Sequence, residues 1–138
     1  IPANKIKFEY RNINLDENLI FLSATFKGSI SEKQIIKSHM EKLKIRKNKT
    51  QPSKIKTGGS TFKNPIERTD RKVWELIKES VPLNTNFGDA CISNKHSNFF
   101  INKNKATFNE MNSLITFVKK RVMKKTGITI NLEIKIVE

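Results

Sequence analysis

Apolar residues follow two patterns in the first third of the chain, one typical of a strand and one typical of a helix. The run at 19–26, Leu-Ile-Phe-Leu-Ser-Ala-Thr-Phe, is rich in β-forming residues and is followed by Gly28, so it predicts a strand. Ser31-Glu32-Lys33-Gln34 has the spacing of a capping box, the side-chain pattern that opens many helices. The pattern therefore predicts a helix from about Glu32 to Arg46 with four inward-facing residues: Ile35, Ile36, Met40 and Leu43.

The next part of the chain is polar at first and then returns to a helical period. Residues 47–65 are rich in polar residues and turn formers, which indicates a loop. Asp70 can cap a second helix that ends before Pro82, because proline cannot continue a helix. Its predicted inward face consists of Val73, Trp74 and Ile77.

The last third of the chain predicts two short strands, a long helix and a final strand. Ala90–Ser93 and Asn98–Asn102 predict strands joined by a tight polar turn. Thr107-Phe108-Asn109-Glu110 is a second capping box, and Gly127 is suited to end the helix that follows it. Ile128–Val137 alternates imperfectly between apolar and polar residues and predicts the final strand. The helix has an apolar face at steps of three and four residues: Phe108, Met111, Ile115, Val118 and Val122.

Strands and helices in this order predict an α+β fold, with a small, mainly antiparallel sheet and helices packed on one face. The 138 residues are enough for one domain with a modest core. The sequence has no run of eighteen apolar residues and does not open on a secretory signal, so we expect no membrane span and a cytoplasmic location. The one cysteine, Cys91, lies in an apolar segment and is expected to be a buried, unreactive thiol.

The net charge of +14 raises the question of an anionic partner. Strong basicity is a feature of nucleic-acid binders, because neutralising phosphates supplies much of their affinity. Here the lysines are spread along the whole chain, which also indicates a general bias in composition. The one dense cluster, Lys42–Lys56, holds seven Lys or Arg residues. It either contacts an anionic ligand or forms a solvated helix end.

Two motifs carry candidate chemistry. In Gly58-Gly59-Ser60-Thr61-Phe62-Lys63-Asn64-Pro65, two glycines allow the backbone to bend tightly and present one hydroxyl, with polar residues after it. Such a loop can place a single proton donor beside polar anchors, or its serine can simply close a turn. The second motif, Ser93-x-x-His96-x-Asn98-Phe99-x-x-Asn102, sets a histidine between the two short predicted strands.

Both motifs resemble those of the UDP-N-acetylenolpyruvoylglucosamine reductase family. Its members are flavoenzymes that make UDP-N-acetylmuramate for bacterial peptidoglycan, which implies a role in building the cell wall, in cell shape and in cell division. The resemblance spans nearly the whole chain but only the C-terminal half of a complete family member. The short spacing from Phe26 to Arg46 is similar to that of the type II branch. Further elements resemble the family's in the same order: Tyr10-Arg11, Arg46 with Gln51-Pro52, Thr126-Gly127-Ile128 and Leu132-Glu133-Ile134-Lys135.

The resemblance implies an oxidoreductase with two cofactors. In the family, NADPH reduces a bound FAD, and the flavin passes hydride to the enolpyruvyl group, whose neighbouring carbon must then be protonated. Ser60 matches the family's proton donor, and because a hydroxyl is a weak acid, its loop must hold it rigidly. Glu133 matches the carboxylate that stabilises the enolic intermediate, although the pattern alone also fits an exposed strand residue.

Three residues match positions that bind the substrate, UDP-N-acetylenolpyruvoylglucosamine. Asn64 and His96 carry groups that can hydrogen-bond a sugar or a carboxylate. His96 can equally be a buried structural residue oriented by Asn98. Lys47 is the candidate contact for the diphosphate, with Arg46 and Lys49 as alternatives. The resemblance implies no metal.

The resemblance also sets expectations about domains and partners. Residues 1–15 would be the exit segment from an N-terminal FAD-binding domain that this chain lacks, and residues 16–138 would be the substrate-binding domain. The expected partner is that FAD-binding half, fused or separate. The chain by itself is expected to bind neither FAD nor NADPH and to be inactive. The alternative is a stand-alone basic α/β module that binds an anionic ligand or RNA without redox activity, with nucleic acid the less expected partner.

Overall fold

The structure of the protein is a computed structural model that describes residues 1–16 and 18–137. Internal contacts divide the chain into two units, one of residues 1–33 and one of residues 34–138. In the described residues, no helix is both long enough and apolar enough to cross a membrane.

The first unit contains short elements with little burial. A 3-10 turn, Ala3–Lys5, precedes strand β1 (Phe8–Glu9), which pairs antiparallel with β2 (Asn12–Ile13). The hairpin turns at Tyr10 and Arg11, and the Arg11 guanidinium lies 5.7 Å from the centre of the Tyr10 ring. Arg11 has φ 57°, in the left-handed region that is uncommon for residues other than glycine. The hairpin therefore holds the Arg11 backbone in a constrained conformation.

The strand predicted at 19–26 is not formed. Residues 19–32 contain no helix or strand, and the Leu19 amide, which donates to the Asp16 carbonyl (3.2 Å), makes the only backbone hydrogen bond of 19–26 within the described chain. The apolar side chains lie at the surface, with Leu22 91% and Phe26 89% exposed. A strand needs a neighbour that pairs with its backbone, and no described residue pairs with this segment.

The first predicted helix is present as α1 (Lys33–Thr50), but its predicted inward face is wrong. The helix has no buried residue, and its four predicted core positions are 45% to 66% exposed. The helix extends one turn beyond its predicted end at Arg46. In this added turn the Thr50 hydroxyl donates to the Arg46 carbonyl (3.0 Å). Periodicity identifies an apolar face but does not show what covers it. The four residues are Ile35, Ile36, Met40 and Leu43.

The remaining elements of the second unit follow in the order β3 (Lys56–Ser60), α2 (Val73–Ser80), β4 (Asn86–Phe87), β5 (Ala90–Ile92), β6 (Phe99–Asn102) and α3 (Phe108–Thr126). The four strands form one sheet in the order β3-β6-β5-β4, and every neighbouring pair is antiparallel. Helix α3 packs on β4, β5 and α2. This arrangement confirms the predicted α+β class.

The loop predicted over residues 47–65 is wrong in two places. Helix α1 continues to Thr50, and β3 occupies Lys56–Ser60. The sequence of β3, Lys-Thr-Gly-Gly-Ser, has little intrinsic preference for a strand. It forms a strand because Lys56 and Thr57 pair with β6 in the folded chain. A local sequence pattern does not predict pairing with such a distant segment.

Helix α2 begins later than the Asp70 cap predicts. Its N-terminal amides are satisfied by other side chains: the Val73 amide donates to the Asn64 side-chain oxygen (3.0 Å), and the Lys72 amide donates to the Glu75 carboxylate (2.7 Å). Asp70 lies two residues before the capping position. The cap prediction is therefore wrong because a residue distant in sequence supplies the acceptor.

Helix α3 confirms its predicted ends. The Thr107 hydroxyl accepts from the Glu110 amide (3.2 Å), and the Glu110 carboxylate accepts from the Thr107 amide (2.8 Å), which is the predicted capping box. At the other end, Gly127 has φ 70° and its amide donates to the Met123 carbonyl (2.9 Å). Glycine adopts this left-handed conformation without strain.

Two aromatic residues predicted to face inward lie at the surface instead. Trp74 is 39% exposed and Phe108, the first residue of α3, is 60% exposed. The core is one cluster between the two helices and one face of the sheet, and it confirms Val73 and Ile77 of the α2 prediction. Its main members are Phe62, Val73, Leu76, Ile77, Ala90, Ile92, Phe100, Leu114, Ile115, Val118, Val122 and Ile130.

Cys91 is buried, as the sequence predicts. Burial is the main cause that raises the pKa of its thiol; the Lys103 ammonium opposes this effect, and the Asp89 carboxylate adds a smaller increase. A thiol with a raised pKa is a poor nucleophile, so Cys91 behaves as a small core residue.

The final strand predicted over Ile128–Val137 is reduced to a single bridge between Leu132 and Phe62. The Lys63 amide donates to the Asn131 carbonyl (2.8 Å) on one side of this bridge. The chain then bends at residues 133–134, so the ladder stops. The segment still extends the sheet beyond β3 and adds Ile130 to the core.

Candidate functional site

The loop that carries Ser60 is anchored to β6. The Thr57 hydroxyl donates to the Phe100 carbonyl (2.7 Å) and accepts from the Gly59 amide (3.2 Å). Gly59 has φ 88°, which a residue with a side chain adopts only under strain. The register of β3 against β6 shifts between Thr57 and Ser60, so the two glycines form an irregular step in the strand that ends on Ser60.

Ser60 lies opposite Phe99 of β6 and is partly buried. The amide of the next residue, Thr61, donates to the Asn98 carbonyl (2.8 Å). The backbone is therefore paired with β6 at Ser60 and immediately after it. This pairing restricts the positions that the Ser60 hydroxyl can reach, as proton donation to one carbon requires.

Glu133 lies on the other side of the same stretch. Its amide donates to the Thr61 carbonyl (2.9 Å), so Thr61 pairs with Asn98 through its N–H and with Glu133 through its C=O. Glu133 is partly buried. The next residue, Ile134, packs close to Gly58, since a Cβ placed on that glycine would be 3.5 Å from the Ile134 side chain. The segment that carries Glu133 therefore runs beside the Ser60 loop.

His96 lies in the turn between β5 and β6 with its ring among aromatic neighbours. Its Nδ1 accepts from the Asn98 amide (3.2 Å), so in the neutral ring the proton is on Nε2. The ring packs edge-on against Phe99, with centroids 4.9 Å apart, and lies 6.2 Å from the Trp74 ring. Burial lowers the pKa of His96, which favours the neutral imidazole. A neutral ring of this tautomer can donate one hydrogen bond to a ligand oxygen.

Asn64 has a structural contact of its own. Its side-chain oxygen holds the Val73 amide at the start of α2 (3.0 Å). This contact connects the end of the Ser60 loop to the helix whose second residue, Trp74, lies beside His96. Asn64 is partly buried.

Lys47 is exposed in the last turn of α1. The next residue, Asn48, accepts a hydrogen bond through its backbone carbonyl from the Lys95 ammonium (3.1 Å). Since Lys95 precedes His96, this contact brings the basic end of α1 to the turn that carries the histidine. Lys47 is thus connected to His96 indirectly, because Asn48, the residue after Lys47, contacts Lys95, the residue before His96.

The segments that carry the predicted site residues therefore meet. Ser60 and Glu133 flank Thr61, and Ser60 pairs with Phe99, whose ring contacts His96. Asn64 joins the same group through α2. The catalytic and binding roles of these residues stay predictions.

Asn98 is a central residue whose role the sequence did not reveal. Its side chain accepts from the Phe62 amide (2.9 Å) and donates to the Phe62 carbonyl (2.9 Å), and it is only 3% exposed. It thus ties the Ser60 loop to the His96 turn. Ser97 acts similarly through its hydroxyl, which donates to the Trp74 carbonyl (2.5 Å). Both residues lie in the Ser93–Asn102 motif, but only their contacts with distant parts of the chain show which segments they hold together.

A dinucleotide's phosphates are commonly bound by free amides at a helix N-terminus. At the start of α2, the Val73 amide donates to the Asn64 side chain and the Lys72 amide donates to the Glu75 side chain. At the start of α3, the Thr107 and Glu110 amides are paired within the capping box. The starts of α2 and α3 do not offer these amides to the phosphates of FAD. We therefore assign no residue of this chain to FAD.

A helix-backed antiparallel sheet with a glycine-serine loop between β6 and the closing segment defines a small α+β domain. Residues 51–137 match the family described as UDP-N-acetylenolpyruvoylglucosamine reductase, C-terminal domain. The chain belongs to this family and corresponds to the C-terminal part of its members.

Individual relatives support the same assignment, and each of them is longer than this chain. The UDP-N-acetylenolpyruvoylglucosamine reductase of Pelagibacter ubique is 60% identical over 100% of this chain and 46% of its own length. The Rickettsia typhi protein of the same name is 40% identical over 95% of this chain and 43% of its own length. The crystal structure of UDP-N-acetylenolpyruvylglucosamine reductase from Thermus caldophilus superposes with a TM-score of 0.74 at 26% identity, covering 96% of this chain and 46% of that one. The chain thus spans less than half the length of these relatives.

Proposed function

We propose that this chain is the C-terminal, substrate-binding part of an enzyme that reduces the enolpyruvyl group of UDP-N-acetylenolpyruvoylglucosamine to give UDP-N-acetylmuramate. NADPH and FAD would supply the hydride, with FAD held by an N-terminal part, fused or separate. The observation that carries the proposal is the fixed Ser60 loop between His96 and Glu133 in a chain of this family.

The chain's own contribution to the reaction is proton transfer. Addition of hydride to one carbon of the enolpyruvyl double bond leaves the neighbouring carbon electron-rich, and that carbon must take a proton. We assign this step to the Ser60 hydroxyl, whose loop is tied to β6 through Thr57 and Thr61. A group held in place before the reaction needs no costly reorganisation in the transition state. We assign stabilisation of the enolic intermediate to Glu133, which lies beside the same loop.

Three further residues bind the substrate in this proposal. The Nε2–H of His96 donates to a substrate oxygen, which its lowered pKa and its tautomer favour. Asn64 supplies a side-chain amide at the end of the loop while it holds α2 in place. Lys47 contacts the diphosphate, since α1 presents its basic last turn next to the His96 turn.

The test uses a complete enzyme in which this chain replaces the aligned part of the Pelagibacter ubique relative, to which it is 60% identical. Ser60→Ala should leave reduction of the flavin by NADPH near normal, because that step needs no proton from Ser60. Reoxidation by the enolpyruvyl substrate should slow by about 100-fold, the usual cost of losing a positioned acid. Stopped-flow absorbance of the flavin measures the two steps separately.

Ser113→Ala is the matched control, because it removes the same hydroxyl from an exposed position on α3. It should leave both half-reactions unchanged. Equal slowing of both steps by Ser60→Ala, or of neither, would show that Ser60 only closes a turn and that the proton comes from another group.

A further inference from the structure

The surface of helix α3 near its C-terminal end is strongly basic. Five of the seven residues 119–125 are Lys or Arg, and within the described residues none of the five forms an ion pair with a carboxylate. The partial negative charge of a helix C-terminus accounts for cations in the last turn, but not for those before it. The five residues are Lys119, Lys120, Arg121, Lys124 and Lys125.

Three of these lysines line a cleft with an apolar floor. The cleft has a volume of about 370 Å³ and lies between α3 and the segment that follows it, with Met123 and Ile130 as its apolar side chains. Ile130 is 1% exposed and belongs to the core, so the floor is recessed. The Thr129 hydroxyl donates to the Met123 sulfur (3.7 Å), which connects the two walls. The lysines are Lys119, Lys120 and Lys124.

The combination of floor and rim indicates the chemistry of an occupant. Lysine side chains lay their aliphatic stems along apolar surface and keep their ammonium groups in water. The cleft therefore offers an apolar bottom beneath a rim of positive charge. Methionine adapts its shape to a bound side chain, and a cleft of this volume lies within the range of binding pockets. A peptide in which carboxylates flank an apolar side chain matches both the floor and the rim.

Other anionic partners match the cleft less well. Single-stranded nucleic acid gains much of its affinity from bases stacked on aromatic rings, and the described residues that line the cleft include no aromatic one. The flat surface of an anionic membrane does not reach a floor as recessed as Ile130. A second copy of this chain, with its net charge of +14, is repelled.

We infer that this cleft docks an acidic amphipathic helix of another protein. The helix places an apolar side chain against Met123 and Ile130 and its carboxylates beside the lysines of the rim. Helix α3 packs on β4 and β5, whereas Ser60 ends β3, so the docking cleft and the catalytic loop are carried by different elements. The inference does not rest on the function proposed above.

Fluorescence anisotropy with two labelled synthetic peptides tests the docking. The protein is the complete one, made by joining the N-terminal part of the Pelagibacter ubique relative to this chain. The first peptide is a helix with Leu at steps of three and four residues among Glu and Asp, and the second has Ser in place of each Leu. The Leu peptide should bind at least about tenfold more tightly, because it alone buries an apolar side chain. Equal affinities, or no binding of either peptide, would overturn the inference.

A pair of charge variants locates the binding. Lys120→Glu with Lys124→Glu reverses two exposed charges at the cleft and should weaken binding of the Leu peptide at least about tenfold. Lys103→Glu with Lys105→Glu makes the same change of charge at two exposed residues outside the cleft and should weaken it less than about threefold. The Tm of each variant verifies that it is folded. Equal weakening by the two variants would show attraction by net charge alone and would contradict docking in the cleft.

Met123→Ser tests the apolar floor without changing any charge. It should weaken binding of the Leu peptide about fivefold and leave binding of the Ser peptide unchanged. Single-stranded RNA and phosphatidylglycerol vesicles are the competing anions. If either binds more tightly than the Leu peptide and loses that affinity in the Lys120→Glu, Lys124→Glu variant, the cleft serves that partner and the inference is wrong. None of these variants should change the two flavin half-reactions, so this inference and the proposed function fail separately.

Discussion

Asn98 shows how much of the site depends on one buried side chain. It makes two hydrogen bonds to the backbone of Phe62 (both 2.9 Å), and its own carbonyl accepts from Thr61 (2.8 Å). These contacts replace the ladder of a regular strand where β3 has ended. A side-chain amide can imitate a backbone peptide in this way because it offers one donor and one acceptor side by side. The position of Ser60 therefore depends on a residue 38 places later in the sequence.

Asn98→Ala should lower the free energy of unfolding by about 2–4 kcal/mol, because it leaves the buried Phe62 amide and carbonyl without partners. Urea unfolding followed by far-UV circular dichroism measures the change. Asn104→Ala is the control, since Asn104 is exposed, lies outside the loop, and its side chain hydrogen-bonds to the Asp89 carboxylate (3.1 Å) at the surface. A loss of similar size in both variants would contradict the role given to Asn98.

His96 should make stability depend on pH in a predictable direction. Burial lowers its pKa in the folded protein below the ordinary value of 6.5, so the unfolded chain binds the proton first as the pH falls. The stabilisation is therefore complete above about pH 6.5 and is lost progressively as the pH drops toward the lowered value.

The advantage of the wild type over His96→Gln in free energy of unfolding should accordingly shrink between about pH 7 and pH 5. His39→Gln, at an exposed position on α1, should keep the wild-type pH dependence. Urea titrations at a series of pH values provide the comparison. A difference between wild type and His96→Gln that stays constant with pH would show that burial does not affect this titration.

Secondary structure follows the sequence closely where local chemistry decides it and poorly where a distant segment does. Helix α3 was predicted from its capping box and Gly127 because both act within a few residues. Strand β3 was missed because pairing with β6 creates it from a glycine-rich sequence. The Asp70 cap was wrong for the same reason, since Asn64 takes its place. The candidate site residues, by contrast, are predicted from motifs, and the contacts of Asn98 that hold their segments together cannot be predicted that way.

The capping box of α3 should contribute measurably to the whole domain, because four buried residues of α3 pack in the core. Thr107→Ala removes the hydroxyl that accepts from the Glu110 amide (3.2 Å), so the free energy of unfolding should fall by about 1 kcal/mol. Thr116→Ala makes the same change at an exposed interior position of α3, where alanine is the better helix former, and it should be neutral or slightly stabilising. Thermal unfolding measures both, and equal effects of the two would rule out capping as the cause.

At the scale of the whole molecule, burial is concentrated in the sheet and the two helices on it. All the buried residues lie between Thr61 and Ile130, whereas residues 1–16 and 18–50 contain none in the described chain. The family match also begins at residue 51. Burial and family match together favour a domain that starts near β3. The motif pattern instead predicts one that starts at residue 16, so the boundary is a question for experiment.

Limited proteolysis of the isolated chain distinguishes the two boundaries. Regions without buried contacts open locally at little cost in free energy, so trypsin should first cut at the basic residues of 1–50, including those of α1. We expect a resistant fragment that begins between residues 43 and 57 and retains α3, identified by mass spectrometry. Lysines on α3 serve as the internal control, because Lys119 and Lys120 lie on a helix whose opposite face is buried in the core and should be cut late. A resistant fragment that begins near residue 12 and keeps α1 intact would instead support a domain of residues 16–138. It would also show that α1 is held to the sheet by more than the Lys95–Asn48 contact.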